Sequence, residues 1–183
     1  MLDILYYFYC TLFSTFIKMK LKILLLFPFC FSTLIFAQKN TTLLEINKLI
    51  NNWHKNAAEV HFEAYMNFLA EDAHYLGTDA TENWTKKEFQ TFAKPYFIKG
   101  KTWNFNALKR NIYFSVDKKT VWFDELLDTQ MKICRGSGVL VKTGKDWKLK
   151  QYVLSMTIPN DKTKLVVQIK DTLESKLIRS YKQ

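Results

Sequence analysis

The sequence predicts one α+β domain in which helices come first and an antiparallel sheet follows. Apolar residues recur at helical spacing between Leu43 and Tyr96, whereas from Lys101 onward apolar and polar residues alternate as in half-buried strands. Only Pro95 and Pro159 interrupt the chain after the leader, and no low-complexity linker divides it. The domain is therefore continuous.

An apolar leader, residues 1–37, stands outside this domain. Basic residues follow Met19, an apolar run extends from Ile23 to Ala37, and the polar Gln38 comes next, which is typical of an export signal. As a helix the run would measure about 22 Å, less than the roughly 30 Å hydrocarbon core of a bilayer. We therefore predict export, to the periplasm or outside the cell, with no stable membrane span after signal removal. The stretch before Met19 is interpreted as an upstream extension, and a hairpin of two membrane segments is the alternative.

Capping boxes predict the starts of the first and third helices. In this motif a Thr caps the helix and a Glu three residues later reaches back to the backbone of the Thr. Thr42 with Glu45 and Thr85 with Glu88 fit it. The third helix is expected to end at Lys94–Pro95 and Gly100, because proline disfavours helix continuation.

The intervening and following segments complete the domain. A short second helix starts at Phe62 and ends at Glu71–Asp72, and a strand is expected over Ala73–Asp79. Turn residues at Asp117–Lys119 and Thr143–Asp146 separate later strands. The β-rich runs are Trp103–Val116, Thr120–Leu127, Lys132–Lys142 and Trp147–Ile158.

The C-terminal segment, residues 161–183, is predicted to be an amphipathic helix beyond the main domain at residues 38–160. Leu165, Ile169, Leu173 and Leu177 lie four residues apart with charges between them. Such a helix would pack on the domain or on a partner.

Charge and cysteine usage narrow the function classes. The net charge of +10 comes from basic residues dispersed along the chain, without a nucleic-acid motif, so we predict no nucleic-acid partner. Cys134 is the only cysteine beyond the leader, which excludes an internal disulfide. With His54, His61 and His74 as the only histidines, neither a metal site nor a cofactor is predicted.

Several short runs are similar to one known family over residues 43–160. They are Trp53-His54, Ala57-Ala58, Phe62-Glu63-Ala64-Tyr65, Glu71-Asp72-Ala73, the run from Gly77 to Trp84, Lys94-Pro95-Tyr96-Phe97, the run from Trp122 to Leu126, the run from Cys134 to Leu140, Leu154-Ser155 and Ile158-Pro159-Asn160. Together they resemble the SnoaL-like family of the nuclear transport factor 2-like superfamily. The resemblance implies a ketosteroid isomerase-like cone of helices on a strongly curved antiparallel sheet, with a cavity at its wide end and frequent dimerisation through the sheet. Its members include enzymes, adaptors and oligomerisation domains, so it leaves the function open.

Strand alternation supplies candidate site residues. Charged or polar side chains that share a face with large apolar ones need a partner or a cavity. The predicted ligand-binding residues are Trp84, Arg110, Trp122, Asp124, Arg135, Ser137 and Tyr152, and the candidate catalytic carboxylates are Asp79 and Asp124. The alternative is structural: paired ions that close the sheet, with tryptophans in the core or at a dimer face.

Three functions remain open on the sequence alone. The first is a binding module that holds a small, partly apolar ligand without transforming it. The second is an isomerase or cyclase in which Asp79 or Asp124 acts as general base, and the third is an oligomerisation or adaptor domain. A catalytic carboxylate should lie in the cavity without a cationic partner, which distinguishes the second from the first. The aromatic-rich sheet predicts a homodimer.

Overall fold

The fold is that of a computed structural model, which describes residues 42–182. The described residues belong to two units, which divide between Lys48 and Leu49. Of the first unit, residues 42–48 are described, and they begin helix α1. The second unit contains all the features discussed below. The predicted export signal at residues 1–37 lies outside the described residues.

The helices of the described chain are interleaved with one sheet. They are α1 at residues 42–58, α2 at Phe62–Asn67, α3 at Lys86–Ile98 and α4 at Thr163–Tyr181, with a 3-10 turn at Asn160–Lys162. The strands are β1 at Leu69–Leu76, β2 at Asn83–Thr85, β3 at Phe105–Phe114, β4 at Thr120–Thr129, β5 at Lys132–Thr143 and β6 at Asp146–Met156. Helices therefore precede the long antiparallel meander, and the predicted α+β class is confirmed.

The six strands form one curved, unclosed sheet in the order β2-β1-β6-β5-β4-β3. All neighbours are antiparallel except β1 and β6, which run parallel. The register shifts within three of these pairings, including between Ala107 and Lys109 in β3 and between Val139 and Leu140 in β5. Such irregularities bend strands and increase their twist, which accounts for the curvature.

Helix α3 shows one correct and one wrong boundary prediction. The capping box is present: the Thr85 side chain accepts a hydrogen bond from the Glu88 backbone, and the Glu88 carboxylate accepts one from Thr85 N–H at 2.8 Å. Pro95, however, lies inside the helix. The helix continues because Ala93 and Phe97 on either side are buried, and it ends before Gly100, whose φ of 64° suits glycine.

The boundary between α2 and β1 was also predicted wrongly. Leu69 is the first residue of β1, and Glu71–Asp72 lie in that strand. Leu69 pairs with Leu149 of β6, and Leu149 N–H donates to the Phe68 carbonyl at 2.8 Å. This long-range pairing overrides the helical spacing that Leu69 shares with α2.

The inner face of the sheet carries the core. Trp53 of α1 stacks on Tyr65 of α2 at 5.1 Å between ring centroids and meets Tyr152 of β6 edge-on at 4.8 Å. Tyr75 of β1 also stacks on Phe89 of α3, with 4.0 Å between their ring centroids. Stacked and edge-on aromatic rings thus join the helices to the sheet in the core.

Candidate functional site

A buried carboxylate lies at the centre of the inner face. Glu125 Oε1 lies 2.8 Å from His54 Nε2 and accepts a hydrogen bond from the Tyr152 hydroxyl at 2.9 Å. Its Oε2 accepts from Arg110 Nε at 2.8 Å, and Arg110 Nη2 lies 2.6 Å away. Arg110 also donates through Nη1 to the side-chain Oδ1 of Asn51 at 2.7 Å. The side chains of Glu125 and Arg110 are 0% and 4% exposed, so this ion pair is shielded from water.

The strand pairing explains how these groups meet. Arg110 of β3 and Glu125 of β4 are register partners, and Glu125 faces Gly136 of β5. A Cβ atom at Gly136 would overlap the Tyr152 hydroxyl and would lie 2.9 Å from Glu125 Cγ. The glycine therefore leaves the space that the carboxylate and the phenol occupy. We call Glu125, His54, Arg110 and Tyr152 the ionic cluster.

The environment of the ionic cluster favours the charged form of Glu125. Burial alone raises the pKa of Glu125, but the hydrogen bond and charge of His54, followed by those of Arg110, outweigh burial and lower this pKa below its usual value. Burial, followed by the nearby negative charge of Glu125, raises the pKa of Tyr152 well above its ordinary range. The oxygens of Glu125 are occupied by His54, Arg110 and Tyr152, and its lowered pKa makes it a weaker base, so it is poorly suited to take a proton from a substrate.

A small pocket of about 150 Å³ lies between α3 and the strand ends. We call it the aromatic pocket. Its lining residues are Tyr75, Gly77, Thr78, Glu82, Trp84, Phe89, Phe92, Trp103, Phe105, Gln130, Met131 and Leu154. Trp84 stacks on Phe92 with ring centroids 4.4 Å apart, and Phe89 lies 6.0 Å from Trp103. These rings form apolar walls of the kind that hold small organic molecules.

One carboxylate borders the aromatic pocket. Glu82 is half-buried, and its Oε2 accepts a hydrogen bond from Asp79 N–H at 3.1 Å. A Cβ atom at Gly77 would overlap this carboxylate, so the absence of a side chain there makes room for it. Gln130, from the turn between β4 and β5, adds a neutral amide. The one charged side chain among the described residues that line the pocket is thus negative.

The structure brings together only some of the predicted site residues. Arg110 and Tyr152 meet in the ionic cluster, and Trp84 lines the aromatic pocket. The other four predicted ligand-binding residues lie on the outer face of the sheet, away from both; they are Trp122, Asp124, Arg135 and Ser137. They therefore do not join Arg110 and Tyr152 in one site, as their grouping in a single predicted ligand-binding set had implied.

The error lies in which face of β4 and β5 points inward. Both faces of β4 carry large apolar residues, so alternation alone does not distinguish them. Val121, Phe123, Glu125 and Leu127 form the buried set, while Asp124 is register partner of Ser137 and accepts a hydrogen bond from Asn111 at 2.9 Å. The inward carboxylate is thus Glu125, one residue later than predicted.

The two carboxylates predicted as catalytic candidates are both outside the aromatic pocket. Asp124 is on the outer face, and exposed Asp79 accepts two hydrogen bonds from Thr81, at 2.9 Å from its N–H and 2.5 Å from its hydroxyl. These bonds, the hydroxyl first, lower the pKa of Asp79. A lowered pKa makes Asp79 a weaker base. Its hydrogen bonds to Thr81 indicate that Asp79 stabilises the loop before β2 instead.

The prediction missed residues whose signals were weak or nonlocal. Glu125 lies midway between Phe123 and Leu127, two residues from each, so all three share one face of the strand. This spacing alone could have predicted that Glu125 points inward. Glu82 and Phe105 reach the aromatic pocket from separate segments, which only the tertiary fold brings together.

Within residues 42–182, no group of metal-ligating side chains could hold a metal ion, and no helix is long and apolar enough to cross a membrane.

A curved, mostly antiparallel sheet with helices on its inner face and a pocket between helix and strand ends defines a nuclear transport factor 2-like, or cystatin-like, α+β domain. The chain belongs to the SnoaL-like domain family, whose model matches residues 46–159. The resemblance drawn from the sequence is thereby confirmed. No curated protein matches the chain.

Solved structures share the fold at low sequence identity. A nuclear transport factor 2-like protein of unknown function from Pseudomonas putida is 11% identical, with a TM-score of 0.57 over 67% of this chain and 91% of that one. A proposed dehydratase of the same family from Streptomyces avermitilis is 9% identical, with a TM-score of 0.57 over 66% and 99%. A proposed scytalone dehydratase from Novosphingobium aromaticivorans is 14% identical, with a TM-score of 0.54 over 66% and 89%. Such likeness shows the fold alone.

Proposed function

We propose that this protein is an exported binding module that holds a small, single-ring, partly apolar molecule in the aromatic pocket without transforming it. The observation that carries the proposal is the size and lining of the pocket. Its volume of about 150 Å³ equals that of a protein cavity known to hold benzene. Sites for drug-sized ligands are larger, roughly 300–1,000 Å³. The ligand is therefore a molecule with one ring.

The charge at the pocket border selects the polar group of the ligand. Glu82 accepts one hydrogen bond from the protein, and an ionised carboxylate can accept more. A ligand hydroxyl or amine would donate to it, whereas a ligand carboxylate would be repelled. Arg110 is engaged by Glu125 and Arg135 lies on the outer face, so neither offers a cation to the aromatic pocket.

The ionic cluster supports binding over catalysis. A carboxylate that removes a proton beside a carbonyl needs an available lone pair and a pKa raised toward neutrality. Glu125 instead contacts His54, Arg110 and Tyr152, and its pKa is lowered. Tyr75 is the phenol that lines the pocket with Glu82, and burial raises its pKa, which makes it a poor proton donor for a reaction there. The isomerase or cyclase hypothesis is accordingly the weaker one.

Binding is tested with three single-ring probes that differ only in their polar group: benzyl alcohol, benzylamine and benzoate. Trp84 and Trp103 line the pocket, so ligand binding should change tryptophan fluorescence, and calorimetry measures the affinity. We expect the alcohol and the amine to bind more tightly than benzoate. Glu82→Gln should reduce that preference, since it removes the charge but keeps the shape.

A matched pair of aromatic truncations locates the site. Phe92→Ala removes a pocket ring that is 37% exposed, and Tyr113→Ala removes a ring of similar exposure, 44%, on the outer face. Loss of one stacked ring should weaken binding about three- to tenfold for Phe92→Ala. Tyr113→Ala should leave affinity unchanged. Preferential binding of benzoate, equal effects of the two truncations, or turnover of a bound probe would each contradict the proposal.

A second candidate, self-association, rests on the outer face of the sheet. Tyr113 and Trp122 are register partners whose rings stack at 5.9 Å, and Trp122 is 46% exposed. Leu108 and Ile133 are also exposed. Adjoining exposed apolar residues mark interfaces more often than free surface. We infer a homodimer through this face, which leaves the aromatic pocket accessible because the pocket is on the inner side.

A further inference from the structure

Helix α4 is an apolar and basic helix that the rest of the domain barely covers. None of its residues is buried. Its large apolar side chains are more than half exposed at several positions, namely Leu165, Val167, Ile169, Leu173, Ile178 and Tyr181. A helix that packed on its own domain would hide its apolar side. The prediction that this segment is helical agrees with the structure, but its apolar side remains open.

The exposed apolar residues form a stripe. Leu165, Ile169 and Leu173 follow one another at four-residue intervals, so they lie on one side of the helix. Ile169 and Leu173 are 71% and 76% exposed. A groove of about 580 Å³ separates the Leu173 region of α4 from the loop at residues 78–81. The domain therefore leaves the stripe without a covering layer.

Positive charge accompanies the stripe. Residues 161–182 contain twice as many basic as acidic side chains; the bases are Lys162, Lys164, Lys170, Lys176, Arg179 and Lys182, and the acids are Asp161, Asp171 and Glu174. Lys162 pairs with Asp161 at 3.2 Å and Lys170 with Glu174 at 2.8 Å. Lys176 and Arg179 form no ion pair with any residue that the structure describes. Lys176 follows Leu173 by three residues and Ile169 by seven, which places its flexible stem beside the stripe.

We propose that α4 binds the surface of an anionic lipid bilayer, with the stripe in the headgroup layer and Lys176 and Arg179 against lipid phosphates. Apolar residues on one side with basic residues around them are typical of helices that lie in the plane of a membrane. A second copy of α4 is a poorer occupant because it would bring like charges together. The four-residue spacing also departs from the alternating three and four of a coiled coil. The site is independent of the aromatic pocket.

Flotation with lipid vesicles tests the proposal on native protein purified from its own cells. Vesicles of phosphatidylcholine alone are compared with vesicles that also contain phosphatidylglycerol. We expect binding to the anionic vesicles only, weakened by salt. Each basic residue near a charged membrane contributes about 1 kcal/mol, which corresponds to about fivefold in partitioning. Lys176→Gln and Arg179→Gln together should therefore reduce partitioning about 25-fold.

Matched controls separate α4 from the net charge of the chain. Lys101→Gln with Lys145→Gln removes the same charge from exposed positions outside α4 and should change partitioning less than about twofold. Ile169→Ser should weaken binding, whereas Ile98→Ser, at an equally exposed isoleucine of α3, should not. None of the α4 variants removes a buried side chain, so folding is preserved. Equal loss in test and control variants overturns the proposal, and so does equal binding to neutral vesicles. Dissociation of a lipid-free oligomer by Ile169→Ser overturns it as well, since a second copy then covers the stripe.

Discussion

Replacing Glu125 by Gln should destabilise the fold strongly although the side chain keeps its size. The change removes the negative charge that Arg110 contacts at 2.6 and 2.8 Å and weakens the acceptor for His54 and Tyr152. Removing one partner of a buried ion pair leaves the other charge without compensation and costs about 3–5 kcal/mol. Because domains are stable by only about 5–15 kcal/mol, the variant should unfold at much lower urea concentration.

Asp124→Asn is the matched control, because the neighbouring carboxylate lies on the outer face of the same strand. Its oxygen accepts a hydrogen bond from Asn111, which an amide oxygen can also accept. We expect a cost within about 1 kcal/mol. A double variant, Glu125→Leu with Arg110→Met, should cost less than the sum of the two single changes, because it removes both charges together.

The pH dependence of unfolding gives the second measurement. The pKa of Glu125 is lowered in the folded state. Its contribution to the free energy of unfolding is therefore complete at pH values above the usual glutamate pKa of about 4.3. That contribution disappears as pH falls through the lower folded-state pKa, because the unfolded chain binds the proton first. The stability gap between the natural protein and Glu125→Gln should narrow over this acidic range. Equal costs for Glu125→Gln and Asp124→Asn, or a gap that widens on acidification, would refute the reasoning.

Two further predictions concern assembly and export. Light scattering should give a dimer mass for the natural protein and a monomer mass for Trp122→Ser, since that ring occupies the proposed interface; a monomer at all concentrations refutes the dimer. N-terminal sequencing of native material should begin at Gln38, and a chain that retains residues before Lys39 and stays in the membrane fraction contradicts export.

The sequence indicated those parts of the fold that local chemistry determines. The capping box at Thr85 and the turn at Asp117–Lys119 depend on residues a few positions apart, and both are present; Lys119 N–H donates to Asp117 Oδ1 at 3.1 Å. The end of α2 depends instead on the pairing of Leu69 with β6, which is distant in the chain. Pro95 remains helical because burial of its neighbours offsets the lost hydrogen bond. Nonlocal packing therefore decided these boundaries.

The candidate site was harder to predict because its members come from many elements. Arg110 and Tyr152 were identified as polar groups on apolar faces, and both reach the ionic cluster. The inward side of β4 was assigned wrongly because Trp122 resembles a core residue as closely as Phe123 does. A single wrong assignment of this kind transfers every alternate residue to the other face. Because of the same error, Asp124 was selected as the inward carboxylate instead of Glu125.

Gly136 makes the ionic cluster difficult to change one residue at a time. Any side chain at this position meets the Tyr152 hydroxyl and Glu125 at once. Substitution of Gly136 becomes feasible only after the hydroxyl and the carboxylate have been removed, while removal of the carboxylate first leaves Arg110 uncompensated. The order in which these positions can mutate is therefore constrained, and descendants of this sequence should keep the set or lose it in a few linked steps. A survey of variant libraries should accordingly find these substitutions in combination rather than alone.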